Sequence, residues 1–337
     1  MPRYLTPLRV STAAVASVLL IPSIAASQTL LGSATLTPTS APTSENFVSA
    51  TALDGMFESR GLSGDLRVLI LSPEDAVGPV LSGAVQHRWE RIFAAPAGLL
   101  GAPAFAHAPV RPPTVPGVWR LELSGAGQTV GDLAVITTVP ITQKMDGYLN
   151  GYHIGRFPTE GSGRTDEYAP PRGFIEVTRA NQDLYVSEHF QIRDFLTKDQ
   201  IDVWPKYLAL DLQLIDKLEL VLQELNEMGI RADRLQVMSG FRTPQYNGPG
   251  GDGRAALSRH MYGDAADVWV DSDADGYMDD LNGDGRRDYE DTYVLLRAVD
   301  RVEREHPEMV GGAGQYASNG VHGPFVHIDA RGSHARW

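Results

Sequence analysis

The sequence predicts an α+β protein with more than one domain, and three observations lead to this expectation. Short runs of alternating apolar and polar residues, separated by Gly and Pro, fill residues 48–142. Residues 207–228 carry apolar side chains at helical spacing. Short apolar runs at 235–239, 266–270 and 325–329 predict strands. Because a helix and strands mix in the C-terminal part, we expect α+β architecture there.

Composition narrows the class of protein. The chain has 337 residues, 42% of them hydrophobic, no Cys and a formal net charge of −13. This apolar fraction is sufficient for a packed core and excludes a disordered chain. Without Cys, any metal site must use His and carboxylates. The acidic balance argues against nucleic acid as a partner, since such binding needs a basic surface.

The N-terminal residues have the form of a secretory signal peptide. Residues 1–27 contain Arg3 and Arg9, an apolar stretch from Val10 to Ile21, and small residues at 23–27. The apolar stretch is short for a membrane span, although an uncleaved anchor is the alternative. We expect a periplasmic or secreted protein with no membrane span in its mature form. Residues 28–47, rich in Ser, Thr, Ala and Pro, predict a linker.

Three further regions follow the linker. Residues 48–142 predict a small antiparallel β-sandwich-like accessory domain. Residues 143–186, rich in Gly and Pro, predict a connector, and 187–337 predict the α+β domain. In that domain Gly229 follows the predicted helix as a C-cap, and a second helix is expected from Asp291 to Arg304. The apolar stripe of the first helix consists of Leu214, Ile215, Leu218, Val221, Leu222 and Leu225.

Three potential metal ligands stand where a folded chain can bring them together. His260 precedes a turn at Gly263, and Asp267 follows seven residues after His260. His327 lies in the strand 325–329, on the same face as Asp329. Two imidazoles and one carboxylate leave the fourth position of a tetrahedral zinc ion open for water, as in catalytic zinc sites. An accidental trio is the alternative, because the chain has nine His.

Four motifs of the C-terminal region carry a resemblance to a known family. They are Ser239-Gly240-Phe241-Arg242-Thr243, Ser258-x-His260-x-x-Gly263-x-Ala265-x-Asp267, Gly312-x-Gly314-x-Tyr316 and Phe325-Val326-His327-Ile328-Asp329, and Arg336-Trp337 follows them. In this order they resemble the M15 family of zinc D-Ala-D-Ala carboxypeptidases, dipeptidases and murein endopeptidases. The resemblance covers roughly 187–337.

The resemblance implies a function and a set of roles. It implies a zinc metallopeptidase acting on peptidoglycan stem peptides, with the small antiparallel sheet and flanking helices shared with the hedgehog signalling domain. His260, Asp267 and His327 would be the zinc ligands, and Ser258 and Asp329 would support them. Arg242 would stabilise the substrate carbonyl or the tetrahedral oxyanion; a structural Arg bonded to loop carbonyls is the alternative.

The chain departs from better-known members at one position. They carry Glu or Asp as general base three residues before the last zinc His, where this chain has Pro324. His322 is the nearest replacement, because its ordinary pKa suits proton transfer at neutral pH. Asp264 is another candidate, whereas Asp329 more plausibly orients an imidazole. The departure leaves a second function open, a catalytically inactive zinc- and calcium-containing cell-wall-binding or interaction module.

An acid-rich insertion at 271–291 predicts calcium binding. From Asp267 to Asp291 there are ten acidic and two basic residues, a local charge of −8. Calcium loops need oxygen ligands at positions 1, 3, 5, 9 and 12 and Gly at position 6. One match consists of Asp280, Asn282, Asp284, Asp288 and Asp291, with Gly285 at position 6. An overlapping match consists of Asp271, Asp273, Asp275 and Asp279, with Gly276 at position 6. We expect calcium to order one wall of the zinc site; a solvated acidic loop is the alternative.

Overall fold

The computed structural model describes residues 68–75, 85–93, 99–105, 110–125, 128–250 and 254–337. It is a mixed α/β structure with few helices and several small sheets, which agrees in general terms with the α+β expectation. The predicted signal peptide and linker lie outside the described residues. None of the helices in the described ranges has the length and apolarity to span a bilayer.

The N-terminal region forms one five-stranded sheet. Its strands are β1 (Val68–Leu71), β2 (Val85–Ile92), β3 (Leu99–Phe105), β4 (Gly117–Gly125) and β5 (Gln128–Thr137), in the order β1-β5-β4-β2-β3. The pair β1-β5 is parallel, and the other pairs are antiparallel.

This sheet differs from the predicted antiparallel β-sandwich. In the described part of residues 48–142, the five strands β1–β5 all belong to this one sheet, and β1 pairs with β5 in parallel. Val68, Ile70 and Ile136 join the same buried cluster as Phe174 from the next region. The physical reason is visible in β1, whose four consecutive apolar residues are all buried, as expected of a strand covered on both faces rather than an alternating one.

The segment predicted as a connector is part of the core. It contains β7 (Tyr148–Leu149), β8 (Tyr152–His153) and β9 (Gly173–Val177), while β6 (Val139–Pro140) precedes it and β10 (Lys206–Leu208) follows it. Strands β10, β9 and β6 form a three-stranded sheet, and β7 and β8 form a hairpin. Tyr152, Ile154, Phe157 and Phe174 are almost fully buried. Sequence reasoning missed this because the apolar residues are spaced irregularly among Gly and Pro.

The C-terminal region contains a five-stranded sheet in the order β11-β12-β14-β13-β15. Its strands are β11 (Leu235–Ser239), β12 (Ala265–Val270), β13 (Gly312–Tyr316), β14 (Phe325–Asp329) and β15 (Ala335–Arg336). The helices are α1 (Leu212–Glu227), α2 (Pro244–Asn247) and α3 (Asp291–Glu305). Short 3₁₀ turns occupy Ile141–Gln143, Ile192–Phe195, Arg259–Tyr262 and Pro307–Met309. The strands and the two long helices expected from the sequence are thus present, although the first helix begins at Leu212 and not near Tyr207, because Tyr207 and Leu208 pair with β9 in β10.

Helix α1 is buried on more than its apolar stripe. The side chain of Asp211 accepts a hydrogen bond from the backbone N of Gln213 and caps the helix, and Gly229 adopts φ +79° just beyond its end. Lys217 is fully buried, and its Nζ lies 2.7 Å from Glu303 Oε1 on α3 and 2.7 Å from the Asp329 carbonyl on β14. This ammonium therefore ties both long helices to the sheet.

Candidate metal centre

The strand register brings two predicted ligands face to face. Strands β12 and β14 pair antiparallel, and Asp267 lies directly opposite His327. Residues that lie opposite each other in such a pair point to the same face of the sheet. Both side chains are buried. The central strands of the sheet therefore fix the separation of this carboxylate and this imidazole.

His260 reaches the same point from the 3₁₀ turn Arg259–Tyr262. The turn ends at Gly263 with φ +82°, where an added Cβ would lie 2.6 Å from the carbonyl carbon of Ala209. Only Gly fits this conformation and this close approach. The backbone N of Arg242 donates to the His260 carbonyl at 3.0 Å, which fixes the turn against the chain after β11.

The three side chains present their donor atoms as a nearly equilateral triangle. His260 Nε2 is 3.1 Å from Asp267 Oδ1 and 3.1 Å from His327 Nδ1, and the last two atoms are 3.0 Å apart. Ligands of a tetrahedral zinc ion with bonds of 2.0–2.1 Å are separated by about 3.3–3.4 Å. The spacing and the chemistry of these donors therefore fit a small divalent cation.

Each imidazole uses its other nitrogen to hold its orientation. His260 Nδ1 lies 2.7 Å from the carbonyl oxygen of Gly240, and His327 Nε2 lies 3.2 Å from Asp329 Oδ2. Because a carbonyl and a carboxylate accept hydrogen bonds, these nitrogens carry the protons. The lone pairs of His260 Nε2 and His327 Nδ1 then face the space between the three donor atoms. A hydrogen bond from the other ring nitrogen to an acceptor is the usual support of a metal-binding His.

The electrostatics favour the cation-binding protonation states of His260 and Asp267. The pKa of His327, which burial lowers, is raised on balance by its hydrogen bonds to Asp267 and Asp329, so a bound cation must displace its proton. Burial lowers the pKa of His260, which keeps this imidazole neutral. Burial by itself raises the pKa of Asp267, but His260 and His327 together hold that pKa well below its usual range. A neutral imidazole and an ionised carboxylate are the metal-binding forms of these groups.

Asp329 occupies the supporting position expected of it. It is fully buried, and it accepts hydrogen bonds from Arg331 Nε at 2.9 Å and from the backbone N of Gly312 at 2.7 Å. Burial raises its pKa, whereas His327 and Arg331 lower it to a value well below the usual range. Ser258 is also buried, and it precedes the 3₁₀ turn without capping it through its side chain.

Arg242 lies beside the triangle, and its guanidinium contacts the predicted zinc ligand Asp267. Its Nε donates to Ser239 Oγ at 2.8 Å, and its Nη2 donates to Asp267 Oδ2. These contacts leave Asp267 Oδ1 for the shared point. The structure thus gives Arg242 a role in holding Asp267, which sequence reasoning did not foresee.

The candidates for the general base lie away from the triangle. His322 Nε2 is 2.7 Å from Asn319 Nδ2, and His322 Nδ1 is 2.8 Å from the Gly323 carbonyl, so both nitrogens contact their own loop. Asp264 is buried in an ion pair with Arg259. Pro324 is buried at the start of β14. Asp264 is therefore engaged elsewhere, and His322 reaches the site only through neighbouring rings.

Those rings form a row that sequence reasoning missed, which we call the aromatic row: Trp337, Tyr316, Phe325 and His322. The Trp337 ring centroid is 5.3 Å from that of His327, and Trp337 Nε1 donates to Tyr316 Oη at 2.8 Å. Tyr316 stacks on Phe325 at 4.6 Å, and His322 meets Phe325 edge-on at 4.9 Å. The Gly-x-Gly-x-Tyr motif was the sequence signal for this row, because the Trp337 indole packs so closely on Gly314 of β13 that no side chain fits there.

A positive charge also lies within electrostatic reach of the triangle. Burial lowers the pKa of Lys198, and the carboxylate of Asp267 raises it. Lys198 lies just after the 3₁₀ turn Ile192–Phe195, in a segment held by the bond from Thr197 Oγ1 to the Phe241 carbonyl at 2.9 Å. Nothing in the spacing of the sequence identified this residue.

The predicted calcium ligands divide into two sets. Ligand atoms of Asp271, Asp273 and Asp275 lie within 4.8 Å of one another, and across the described ranges this is the one such group besides the triangle. Asp279 Oδ2 accepts from the backbone N of Ser272 at 2.9 Å. The remaining predicted ligands, Asp280, Asn282, Asp284, Asp288 and Asp291, all accept hydrogen bonds from backbone N–H groups of their own segment.

Comparison with known proteins adds no assignment. The chain matches no protein-family model, no curated protein and no solved structure. The functional argument therefore rests on the residues and their geometry.

Proposed function

We propose that this chain is an exported zinc metallopeptidase that hydrolyses peptide bonds of peptidoglycan stem peptides. One observation carries the proposal: the triangle of His260 Nε2, Asp267 Oδ1 and His327 Nδ1, with the other nitrogen of each imidazole tied to an acceptor. The motifs that resemble M15 peptidases supply the substrate class, either a D-Ala-D-Ala terminus or a cross-link.

Zinc is the ion that suits these donors. Two imidazoles and one carboxylate are typical of catalytic zinc sites, whereas calcium and magnesium prefer oxygen ligands alone. When bound, zinc polarises a peptide carbonyl and lowers the pKa of a water molecule. The chain holds the ligands for this purpose, because Arg242 fixes Asp267 and Asp329 fixes His327.

His322 is the candidate proton acceptor in this proposal, and it lies at the far end of the aromatic row from His327. The Asn319 amide donates to His322 Nε2, and the Gly323 carbonyl accepts from His322 Nδ1. This pattern assigns the proton to Nδ1 and gives the Nε2 lone pair to the Asn319 amide, so His322 must exchange that hydrogen bond before Nε2 can accept a proton. Replacing His322 by Gln should lower kcat while zinc content stays unchanged.

The surroundings supply contacts for a peptide. Trp337 is 49% exposed beside His327, so its indole can pack against substrate. Lys198, whose pKa burial lowers on balance although Asp267 raises it, is the candidate cation for the carboxylate that a carboxypeptidase must bind at the end of its substrate. The predicted signal peptide supports a location in the periplasm or outside the cell, where murein is found.

A second function is favoured by one feature of the site. Pro324 replaces the usual acidic base, and Asp264 is paired with Arg259. A site without an effective base can still bind zinc and the cell wall. The second candidate is therefore a catalytically inactive module that binds or interacts with the cell wall.

Digestion of purified murein separates the two. The zinc-loaded mature protein should release peptides whose masses identify the bond that is cut. His260→Ala should abolish release and lower zinc content, whereas His306→Ala, at the end of α3, should change neither. Stoichiometric zinc with no released peptides would favour the binding module.

A further inference from the structure

The acid-rich insertion connects two elements that flank the metal centre. Asp271 follows directly on β12, which carries Asp267, and Asp291 is the first residue of α3. Helix α3 packs on β13 and β14, and Gln315 Nε2 donates to Thr292 Oγ1 at 3.0 Å. The insertion is therefore the covalent link between the strand of one predicted zinc ligand and the helix behind the sheet.

The beginning of the insertion contains a buried oxygen without a partner. Asp271 is 2% exposed, and its Oδ2 accepts from the backbone N of Gly276 at 3.3 Å. Its Oδ1 is buried and has no hydrogen-bond partner among the described residues. An unsatisfied buried carboxylate oxygen is costly. The carboxylates of Asp273 and Asp275 can only accept, so a cation between the three would give Asp271 Oδ1 the partner that it lacks.

We propose that Asp271, Asp273 and Asp275 form a calcium-class cation site, which we call the Asp271 site. Clustered carboxylate oxygens are the ligands that this hard cation prefers. Gly276, with φ +87°, makes the turn that folds Asp275 back over Asp271. The cation neutralises part of the local charge of −8 and fixes the end of β12.

The second stretch of the insertion acts as a scaffold for this site. Asp280 Oδ2 accepts from the backbone N of Gly285 at 2.7 Å, and the buried Asp291 accepts from Leu281 N at 2.8 Å and Asp288 N at 2.8 Å. Its carboxylates thereby order their own backbone. Arg287 belongs to the same stretch, and its guanidinium pairs with Asp273 Oδ2 and Asp275 Oδ2.

This assignment is narrower than the expectation drawn from the sequence, which took both overlapping matches between Asp271 and Asp291 as calcium ligands. It is independent of the peptidase proposal, because it concerns cation binding by the folded chain without substrate.

Calcium titration of the zinc-loaded full chain by calorimetry tests it. We expect one site with a dissociation constant of about 10⁻⁴ to 10⁻³ M. Asp273→Asn should weaken binding about tenfold or more by removing a ligand charge. The matched control is Asp284→Asn, which removes the same charge from the second stretch and should change the affinity by less than about threefold.

Terbium gives a second readout that locates the ion. Tyr277 is exposed within the loop and is a sensitiser for bound Tb³⁺. We expect Tyr277→Phe to lower the luminescence while calcium affinity, measured by calorimetry, stays the same. Absence of calcium binding, or equal weakening by Asp284→Asn and Asp273→Asn, would overturn the Asp271 site.

Discussion

The two groups of potential metal ligands are built in opposite ways. The triangle of His260, Asp267 and His327 is buried, and strand pairing and hydrogen bonds fix its members. The Asp271 site has one buried carboxylate, while Asp273 and Asp275 are exposed on a loop. The triangle is organised by the fold, which suits catalysis, whereas the Asp271 site gains its order from a cation, which suits a structural role.

The largest effect should come from the support behind the triangle. Asp329→Asn removes the charge that orients His327, and loss of such support typically costs 10- to 100-fold in metal affinity. We expect zinc affinity, measured by competition with a chelator, to fall by about 10- to 100-fold. Asp166→Asn, which breaks an exposed ion pair with Arg164, is the control. Unchanged affinity in Asp329→Asn would show that the fold alone orients His327.

The next effect concerns the aromatic row. An added Cβ at Gly314 would lie 2.3 Å from the indole of Trp337, so Gly314→Ala must displace this ring from His327. We expect kcat/KM on murein peptides to fall about tenfold, because a displaced Trp337 ring no longer positions the substrate correctly. Zinc content should stay constant. Gly320→Ala meets no atom within 4 Å and should behave as wild type; equal activity of both variants would exclude the row from the site.

A smaller effect is expected at the Asp271 site. Arg287 pairs with Asp273 and Asp275, and exposed ion pairs contribute about 0.2–1 kcal/mol. Removing this competitor in Arg287→Gln should tighten calcium binding by about twofold to fivefold in calorimetry. Arg286→Gln removes the same charge from the neighbouring residue and should have less effect. If both variants respond equally, the pairing of Arg287 does not oppose the cation.

The smallest expected effect concerns the pH dependence of protein stability. It involves His189, which belongs to neither group of metal ligands. His189 Nδ1 is 2.6 Å from the buried Glu219 Oε2, and this hydrogen bond raises the pKa of His189. Since the folded pKa is raised, the stabilisation is complete below the unfolded pKa of about 6.5. It is lost as pH rises through the folded pKa. Denaturation midpoints should therefore fall as the pH rises from the unfolded to the folded pKa of His189. His189→Asn should remove this part of the pH dependence, and a variant with the same pH profile as the wild type would refute the role of His189.

Local patterns in the sequence predicted much of the C-terminal fold. The apolar stripe of α1, the alternation in β11 and β14, and the turn at Gly263 each depend on neighbouring residues. The choice of His260, Asp267 and His327 came from motifs, and their meeting at one point requires the register of β12 and β14. That register is a long-range property, which spacing alone does not determine.

Other features were beyond sequence reasoning for the same physical reason. The contact of Arg242 with Asp267 and the approach of Trp337 to His327 join residues far apart in the chain. The buried role of 143–186 depends on irregularly spaced aromatic residues, which produce no periodic signal. In the insertion, the complete pattern from Asp280 to Asp291 was the stronger sequence signal, yet the carboxylates that cluster are those of Asp271, Asp273 and Asp275.

If the triangle binds zinc and the bound zinc cleaves murein peptides, peptide release must follow zinc occupancy. The most direct test removes all metal from the mature protein, adds zinc stepwise, and measures bound zinc and released peptide in the same samples. We expect peptide release to rise in proportion to bound zinc and to level off at about one equivalent per chain. Full zinc occupancy without peptide release, or release that does not depend on zinc, would contradict it.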